Sequence, residues 1–315
     1  MTVHPQYRAS ALVLVASLLV MGCDSPDATP ETPEQFEPEV VEPETATPDP
    51  HWVESRVDDA RERLNDSEAG QKLWNAIEGH GGLRAYYEAG PVHFRFNYAP
   101  HEGDPRDTYN VVDTWSSSVV QWPADNEENR FGWANESAWE MESDEELRYN
   151  ARFWSLTPYY FLAIPFVLAD PGVNLEDLGE ATLDEEEYFV IKATFDPGTG
   201  DAPDDYYVLY IHQQDDRVDA IRYVVAYPGF FPDGGHSNET FMTYEEHQEI
   251  DSLLFATYHR SFRSEEEVFE VRFYHEGEKA EHITTTQVSE IGFRPEKTLD
   301  FFAPPDSARV IDGWE

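Results

Sequence analysis

The sequence is short of cysteine and of basic side chains, and each shortage excludes a class of protein. Cys23 is the only cysteine among 315 residues, so no internal disulfide framework holds the fold together. Only 21 Lys and Arg stand against 64 Asp and Glu, which gives a formal net charge of −43 at pH 7. We therefore expect no nucleic-acid partner, because phosphate binding requires clustered lysines and arginines.

The motifs of common enzyme classes are also missing. The sequence has no G-x-S-x-G nucleophile elbow, no H-E-x-x-H zinc helix, no glycine-rich phosphate loop and no paired cysteine ligands. We therefore expect a protein that is not an enzyme and that has neither a cofactor nor a metal site.

A long hydrophobic run is missing as well. A transmembrane helix needs about 20 apolar residues, and the apolar run Ala11–Met21 has only about half that length. Arg8 precedes this run, which is the order of a cleaved signal peptide over residues 1–22. Val20–Cys23 resembles the lipobox of bacterial lipoproteins, in which the new N-terminal cysteine receives acyl chains. The alternative is an ordinary secretory signal with an incidental cysteine.

The lipobox resemblance implies a protein anchored through Cys23 in the bacterial cell envelope. The anchor would lie in the outer face of the cytoplasmic membrane or in the outer membrane. Residues 23–50 then form an acidic, proline-rich linker with almost nothing to bury, which predicts a disordered spacer. We interpret the overall acidity as an adaptation to salty surroundings. A surface for cationic ligands or metal is the alternative.

Residues 51–315 are expected to form one α+β domain. Apolar spacing predicts two helices between Trp52 and Tyr87, the second ending at Gly79–Gly82. A helical segment follows at Leu147–Leu168, and we expect Pro158 and Pro165 to break it into short pieces.

Alternating apolar and polar residues, separated by turn signals, predict about 11–12 antiparallel strands. One uninterrupted run of this kind favours a single large curved sheet, an incomplete barrel, over two domains. The N-terminal helices and the broken apolar helix would then cover its concave face. The predicted strands are Val92–Tyr98, Tyr109–Trp115, Ser118–Trp122, Arg130–Ala134, Ser137–Met141, Tyr188–Phe195, Tyr206–Gln213, Val218–Tyr227, Glu239–Gln248, Leu253–Phe262, Val268–Tyr274 and His282–Ile291.

Several local motifs carry a family resemblance. The order of elements, closing with Phe301–Pro305, resembles the fold of periplasmic lipoprotein carriers. More narrowly, an uncharacterised bacterial lipoprotein family is similar at His80–Gly82, Tyr159–Gly172, Asp204–Tyr207 and Leu209–Tyr210. That family shares the fold of periplasmic lipoprotein carriers and outer-membrane lipoprotein-sorting proteins. The resemblance covers roughly residues 60–310 and implies an incomplete barrel with an apolar concave side, a shape that binds acyl chains or other apolar ligands in relatives.

The apolar segment around Tyr159–Leu168 is the candidate lid and lining of such a pocket. Ligand pockets are mostly apolar and contain a few polar anchors. The alternative is a helix that simply fills the core, because a plug and a pocket wall demand the same residue types. The candidate lining residues are Tyr160, Phe161, Ile164, Phe166 and Val167, and the candidate anchors are Tyr159, Arg152 and His80.

Other polar residues have simpler interpretations. His80 also suits a last helical turn, where it complements the helix dipole. His236, His247 and His259 follow no ligand spacing, and we expect them on the solvated surface rather than around a metal. Four aspartates near glycines would suit calcium, but in so acidic a chain a charged turn is the default; these are Asp196, Asp201, Asp204 and Asp205.

Together these observations favour a membrane-anchored, non-enzymatic lipoprotein that binds a lipid, an acyl chain or another apolar ligand in a half-barrel cavity. The alternative is a structural or protein-interaction module with a filled barrel. The sequence identifies neither the ligand nor the oligomeric state.

Overall fold

The computed structural model describes residues 46–142, 147, 149–199, 202, 204–263 and 282–314. The signal peptide, Cys23, most of the linker and the strand expected at Val268–Tyr274 lie outside these ranges. Residues Pro43–Glu315 form one compact unit. Among the described residues, no helix is both long enough and apolar enough to cross a membrane.

Three helices precede the sheet, where the sequence predicted two. They are α1 (Pro50–Asn65), α2 (Glu68–Gly79) and the short α3 (Leu83–Glu88). The chain leaves α2 through Gly81, which has a φ of +109°. A Cβ at this position would lie 2.3 Å from the carbonyl oxygen of Ser252, so the turn between α2 and α3 requires glycine.

The strands run in three groups along the chain. Five follow α3: β1 (Val92–Pro100), β2 (Arg106–Val112), β3 (Val119–Pro123), β4 (Phe131–Ala134) and β5 (Ser137–Met141). After α4 (Ala151–Ala163) and a 3-10 turn at Phe166–Ala169 come β6 (Val173–Leu183), β7 (Glu186–Phe195), β8 (Tyr206–His212), β9 (Val218–Val224), β10 (Thr240–Thr243), β11 (Gln248–Ile250), β12 (Leu253–Phe255) and β13 (Tyr258–Arg263). The last elements are β14 (Thr284–Phe293), α5 (Leu299–Phe302) and β15 (Ala308–Ile311).

Thirteen of the described strands form one antiparallel sheet in the order β15-β5-β4-β3-β2-β1-β14-β13-β10-β9-β8-β7-β6. The sheet is not closed into a barrel, because its first and last strands are edges. Only β11 and β12 pair separately from it. The expected fold class, α+β with one large curved antiparallel sheet, is confirmed, and the sheet has slightly more strands than the 11–12 predicted.

The eleven-residue strand β6 was missed from the sequence because its alternation of apolar and polar residues is interrupted. A bulge between Asp177 and Gly179 shifts its register against β7. The apolar side chain of Leu178, at the bulge, is therefore exposed to solvent. The inward and outward positions keep alternating through the bulge, but Asp177 and Gly179 take inward positions while Leu178 faces outward, so the segment did not look like a strand.

The expectation that Pro158 breaks the apolar helix was wrong. Pro158 lies inside α4, and the helix continues to Ala163. Proline lacks the N–H that would bond to the carbonyl of Trp154 four residues earlier. Gln121 on β3 supplies the missing donor, since its Nε2 donates to the Trp154 oxygen at 3.2 Å and to the Ser155 oxygen at 2.7 Å. A distant side chain thus stabilises the helix at the proline.

The main core lies between the helices and one face of the sheet, which we call the helix-covered face. Alternate strand residues such as Phe94 and Phe96, or Leu209 and Ile211, point into it. The intervening residues, such as Tyr210, build a smaller cluster on the opposite face. The helices therefore fill most of the hollow of the sheet.

Candidate functional site

One part of the helix-covered face is not filled. Between α4 and the sheet lies a cavity of about 190 Å³, which we call the α4 cleft. Nine of its seventeen lining residues are aromatic. The lining consists of Tyr98, Arg152, Phe153, Trp154, Leu156, Thr157, Tyr160, Phe161, Phe195, Thr199, Ala202, Asp205, Tyr207, Tyr223, Val224, Val225 and Tyr227.

One stripe of α4 forms the first wall of the cleft. Phe153, Leu156, Thr157, Tyr160 and Phe161 line it. They occupy positions i, i+3, i+4, i+7 and i+8, which lie on one side of a helix. The remaining side of α4 is buried in the core. The helix thus contributes its two sides to two different tasks.

Aromatic side chains of neighbouring strands form the second wall. Tyr207 on β8 and Tyr223 on β9 are direct cross-strand partners with ring centroids 6.2 Å apart. Phe195 on β7 lies 6.0 Å from Tyr207, and Phe161 of α4 lies 5.1 Å from Tyr223. The Tyr207–Tyr223 pair is stacked, and the other two pairs are edge-on and tilted, all of which are favourable arrangements of aromatic rings. Together these rings form the sheet side of the cleft.

Asp205 contributes the one described carboxyl group of the lining. Its Oδ1 accepts a hydrogen bond from the Ala226 N–H. Burial raises the pKa of Asp205 to about 6, and the neighbouring charge of Asp204 acts in the same direction. The hydroxyl pKa of Tyr160 is raised to about 12, first by burial and further by Asp170 and Asp205. A carboxyl group and phenol hydroxyls therefore share a poorly solvated space.

Arg152 and two exposed aromatic rings form the rim of the cleft. The Arg152 guanidinium lies 4.3 Å from the Trp314 ring and donates to the carbonyls of Ile311 and Gly313. Phe230 is 51% exposed and Trp314 39% exposed, and the Phe230 ring lies 4.9 Å from Phe153 of the lining. The rim thus combines one guanidinium with exposed aromatic surface, and this surface contacts the lining at Phe153.

The structure brings three of the eight predicted ligand-binding residues to this cleft, namely Arg152, Tyr160 and Phe161. The other predicted lining residues, Ile164, Phe166 and Val167, are buried in the packed core. The remaining predicted anchors, Tyr159 and His80, are buried there too.

Tyr159 and Phe166 illustrate this packing. Tyr86 on α3 donates its hydroxyl hydrogen to the Tyr159 hydroxyl at 2.7 Å. The Tyr86 ring also stacks on Phe166, with centroids 4.4 Å apart and planes tilted by 6°. All three side chains are at most 1% exposed. This part of the predicted lining is a solid contact between α3, α4 and the 3-10 turn.

His80 holds three elements together instead of facing the cleft. Its Nε2 accepts from the Val218 N–H at 3.1 Å, so Nδ1 carries the hydrogen and donates to the Leu254 oxygen at 2.9 Å. Burial lowers the pKa of His80 to about 4. A neutral histidine at the end of α2 thus connects this helix to β9 and β12.

The expectation that the other histidines are solvated was wrong for His259. It is 1% exposed, packs on Tyr244 with centroids 4.5 Å apart, and burial lowers its pKa to about 4. His247 is half-buried beside His80, and only His236 is exposed as expected. The burial of these histidines depends on their position in the sheet, which no local residue pattern predicted.

The aspartates considered for calcium do not assemble in the described residues. Asp196 accepts from Asn174 on β6, whereas Asp205 accepts from the Ala226 backbone. No three His, Cys, Asp or Glu side chains of the described ranges come together as a metal site. Asp201 lies outside those ranges.

A second groove, about 260 Å³ in volume, lies beside α1. Its arginines are already engaged. Arg56 bonds to Asp170 at 2.8 Å and lies 4.6 Å from the rings of both Tyr87 and Trp115, and Arg63 bonds to the Ala169 carbonyl. The groove thus joins α1 to the segment after the 3-10 turn, and the α4 cleft is the better candidate site.

Sequence reasoning missed the sheet side of the cleft. The five sheet residues all lie within predicted strands, at or near a strand end except for Tyr223, which lies in the middle of one; they are Tyr98, Phe195, Tyr207, Tyr223 and Tyr227. An aromatic residue at the inward-facing end of several neighbouring strands is the signal that would have found them. That signal requires the order of strands in the sheet, which the sequence alone did not provide.

Several known proteins are similar to this chain. Residues 134–290 match the profile of a family of unknown function, DUF6503. No curated protein matches the chain. Similar solved structures include a DUF1329 family protein from Desulfovibrio piger, with 11% identity, a TM-score of 0.47, and coverage of 75% of this chain and 97% of that one.

Two further structures are similar to a comparable degree. A LolA superfamily protein from Nitrosomonas europaea has 12% identity and a TM-score of 0.44, and the match covers 73% of this chain and 96% of that one. A putative outer membrane lipoprotein-sorting protein domain from Vibrio parahaemolyticus has 11% identity and a TM-score of 0.44, with coverage of 75% and 97%. The expected resemblance, to an uncharacterised family beside lipoprotein-sorting proteins, is confirmed. Similarities this distant assign no ligand.

Proposed function

We propose that this protein is a non-enzymatic binding protein of the bacterial cell envelope, anchored through Cys23, which takes up the apolar part of a ligand in the α4 cleft. The observation that carries the proposal is the unfilled, ring-lined space between α4 and the sheet. A filled structural module, the alternative function, has no use for such a space. Burying ligand carbon against these rings would be driven by the hydrophobic effect.

The size of the cleft limits how much of a ligand it holds. Its volume of about 190 Å³ exceeds the roughly 150 Å³ of an apolar cavity that takes up benzene, so on the order of six to eight carbon atoms fit. At about 0.8 kcal/mol for each buried methylene, they would contribute roughly 5–6 kcal/mol before the costs of association. A longer chain would extend over the exposed rim at Phe230 and Trp314.

Calorimetric titration of the purified full chain with octyl glucoside, below its micelle concentration, tests the proposal. We expect saturable uptake of one molecule per chain. Thr157→Trp places an indole in the cleft and should weaken uptake at least tenfold. Thr182→Trp is the matched control, because Thr182 is exposed on β6 away from the cleft, and should bind like the unchanged protein.

Two results would contradict the proposal. One is a chain that takes up no octyl glucoside at all. The other is equal uptake by the Thr157→Trp and Thr182→Trp variants, which would place the binding elsewhere on the surface.

A further inference from the structure

The charged groups of the α4 cleft are unequally engaged. Arg152 and Asp205 are the charged side chains among its described lining residues. The Arg152 guanidinium lies on Trp314 and directs hydrogen bonds at the two carbonyls of the C-terminal segment. The positive charge of the cleft is therefore held at the rim by the protein itself.

Asp205 has no comparable partner in the described part of the chain. Its Oδ1 accepts from the Ala226 N–H, while no described residue donates to its Oδ2 and none forms an ion pair with it. Asp204 is a second negative charge beside Asp205, and among the described residues the one opposing electrostatic influence on Asp205 comes from His236. A partly desolvated carboxylate without a cation is unfavourable, so a positively charged ligand would relieve its cost.

The aromatic walls favour the same kind of ligand. The ring faces of Tyr, Phe and Trp attract cations, and quaternary ammonium groups are bound in cages of such rings. Phe161 provides a ring on the helix side of the cleft, and Tyr207 and Tyr223 provide rings on the sheet side. The Tyr223 centroid lies 5.1 Å from that of Phe161 and 6.2 Å from that of Tyr207. The formal net charge of −43 also concentrates cations around the protein.

We infer that the α4 cleft selects amphiphilic organic cations, with an alkylammonium group held between the aromatic walls and the Asp205 carboxylate. The inference rests on the proposed function and deepens it by naming the charge of the ligand. It predicts discrimination against anions of the same chain length, because their carboxylate would meet the Asp205 carboxylate.

Three eight-carbon probes that differ in head group test the inference on the full chain at about 0.15 M salt, where surface attraction is largely screened. They are octyltrimethylammonium, octyl glucoside and octanoate. We expect one octyltrimethylammonium to bind per chain, at least tenfold more tightly than octyl glucoside, and octanoate to bind most weakly. Asp205→Asn, which keeps an oxygen for the Ala226 N–H, should abolish the preference for the cation.

Asp204→Asn is the matched control, since Asp204 is exposed and does not line the cleft. It removes the same charge one residue away and should leave the preference for the cation within about twofold. The pH dependence of the unchanged protein is a second measurement that needs no variant. With a pKa of about 6, the Asp205 carboxyl is mostly protonated at pH 5, so cation binding should weaken about tenfold between pH 7.5 and 5.

The outcomes separate the two levels of the proposal. If all three probes bind with equal affinity and neither pH nor Asp205→Asn matters, the cation selectivity is wrong while the apolar binding function stands. If octanoate binds most tightly, the cleft prefers anions, which contradicts the proposed selectivity for cations. If no probe binds, the proposed function itself fails.

Discussion

The two sides of α4 carry the same kinds of side chain and have different uses. On one side, Tyr159 meets Tyr86 hydroxyl to hydroxyl, and Tyr86 stacks on Phe166. On the other side, Tyr160 and Phe161 line the α4 cleft together with tyrosines of the sheet. The difference lies in whether a neighbouring element fills the space. A candidate binding site in this protein is thus a matter of missing neighbours rather than of special residues.

The largest expected effect separates the two sides by stability. Phe166→Ala should lower the free energy of unfolding by about 3–5 kcal/mol, because it leaves a void in a solid core. Phe161→Ala should cost less, about 1–2 kcal/mol, since the ring is only partly buried and borders the cleft. Urea unfolding of both variants measures this difference. Equal losses would mean that the cleft is as tightly packed as the core.

A smaller effect is the pH dependence of the free energy of unfolding, which we expect from the buried His80 and His259. The pKa values of His80 and His259 are lowered to about 4, so the folded state resists protonation that the unfolded chain accepts near 6.5. The contribution of these two histidines to the free energy of unfolding is therefore fully present above pH 6.5 and is lost as the pH falls toward 4. Between pH 7 and 4.5, each histidine should contribute roughly 2–3 kcal/mol of this loss.

His259→Asn isolates one such contribution, because its amide can still donate to the Thr243 carbonyl that His259 bonds at 3.0 Å. Unfolding free energies of this variant should fall less between pH 7 and 4.5 than those of the unchanged protein. His236→Asn, at an exposed position, is the control and should preserve the full dependence. An unchanged slope in His259→Asn would show that His259 is not the acid-sensitive group.

The smallest expected effect tests the hydroxyl pair of the packed side. Tyr86→Phe and Tyr159→Phe each leave a buried hydroxyl without its partner, so each should cost about 1–2 kcal/mol. The double variant should cost less than the sum of the two, with a coupling of about 1 kcal/mol. Tyr160→Phe, on the cleft side, should change the free energy of unfolding by less than about 0.5 kcal/mol. Strict additivity of Tyr86→Phe and Tyr159→Phe would argue against the pair.

The sequence predicted the fold class and most strands because alternation and turn residues are local signals. It failed at Pro158, where the compensating Gln121 comes from a strand 37 positions earlier. It also missed β6, where Asp177 and Gly179 take inward positions and Leu178 an outward one at the bulge. For the site, the apolar segment was the right neighbourhood, but only Arg152, Tyr160 and Phe161 lie in the cleft. No local pattern distinguishes a ring that meets another ring from one that meets an empty space.

The open edges of the sheet have a consequence for self-association. An exposed strand edge invites another chain to add to it, which leads to filaments. β15 offers only four residues at one edge, and it is too short to template much pairing. At the other edge, β6 presents exposed Glu176 and Glu180 around its bulge, and their repulsion would oppose a second copy. Both edges of the sheet thus carry features that disfavour the addition of a second chain.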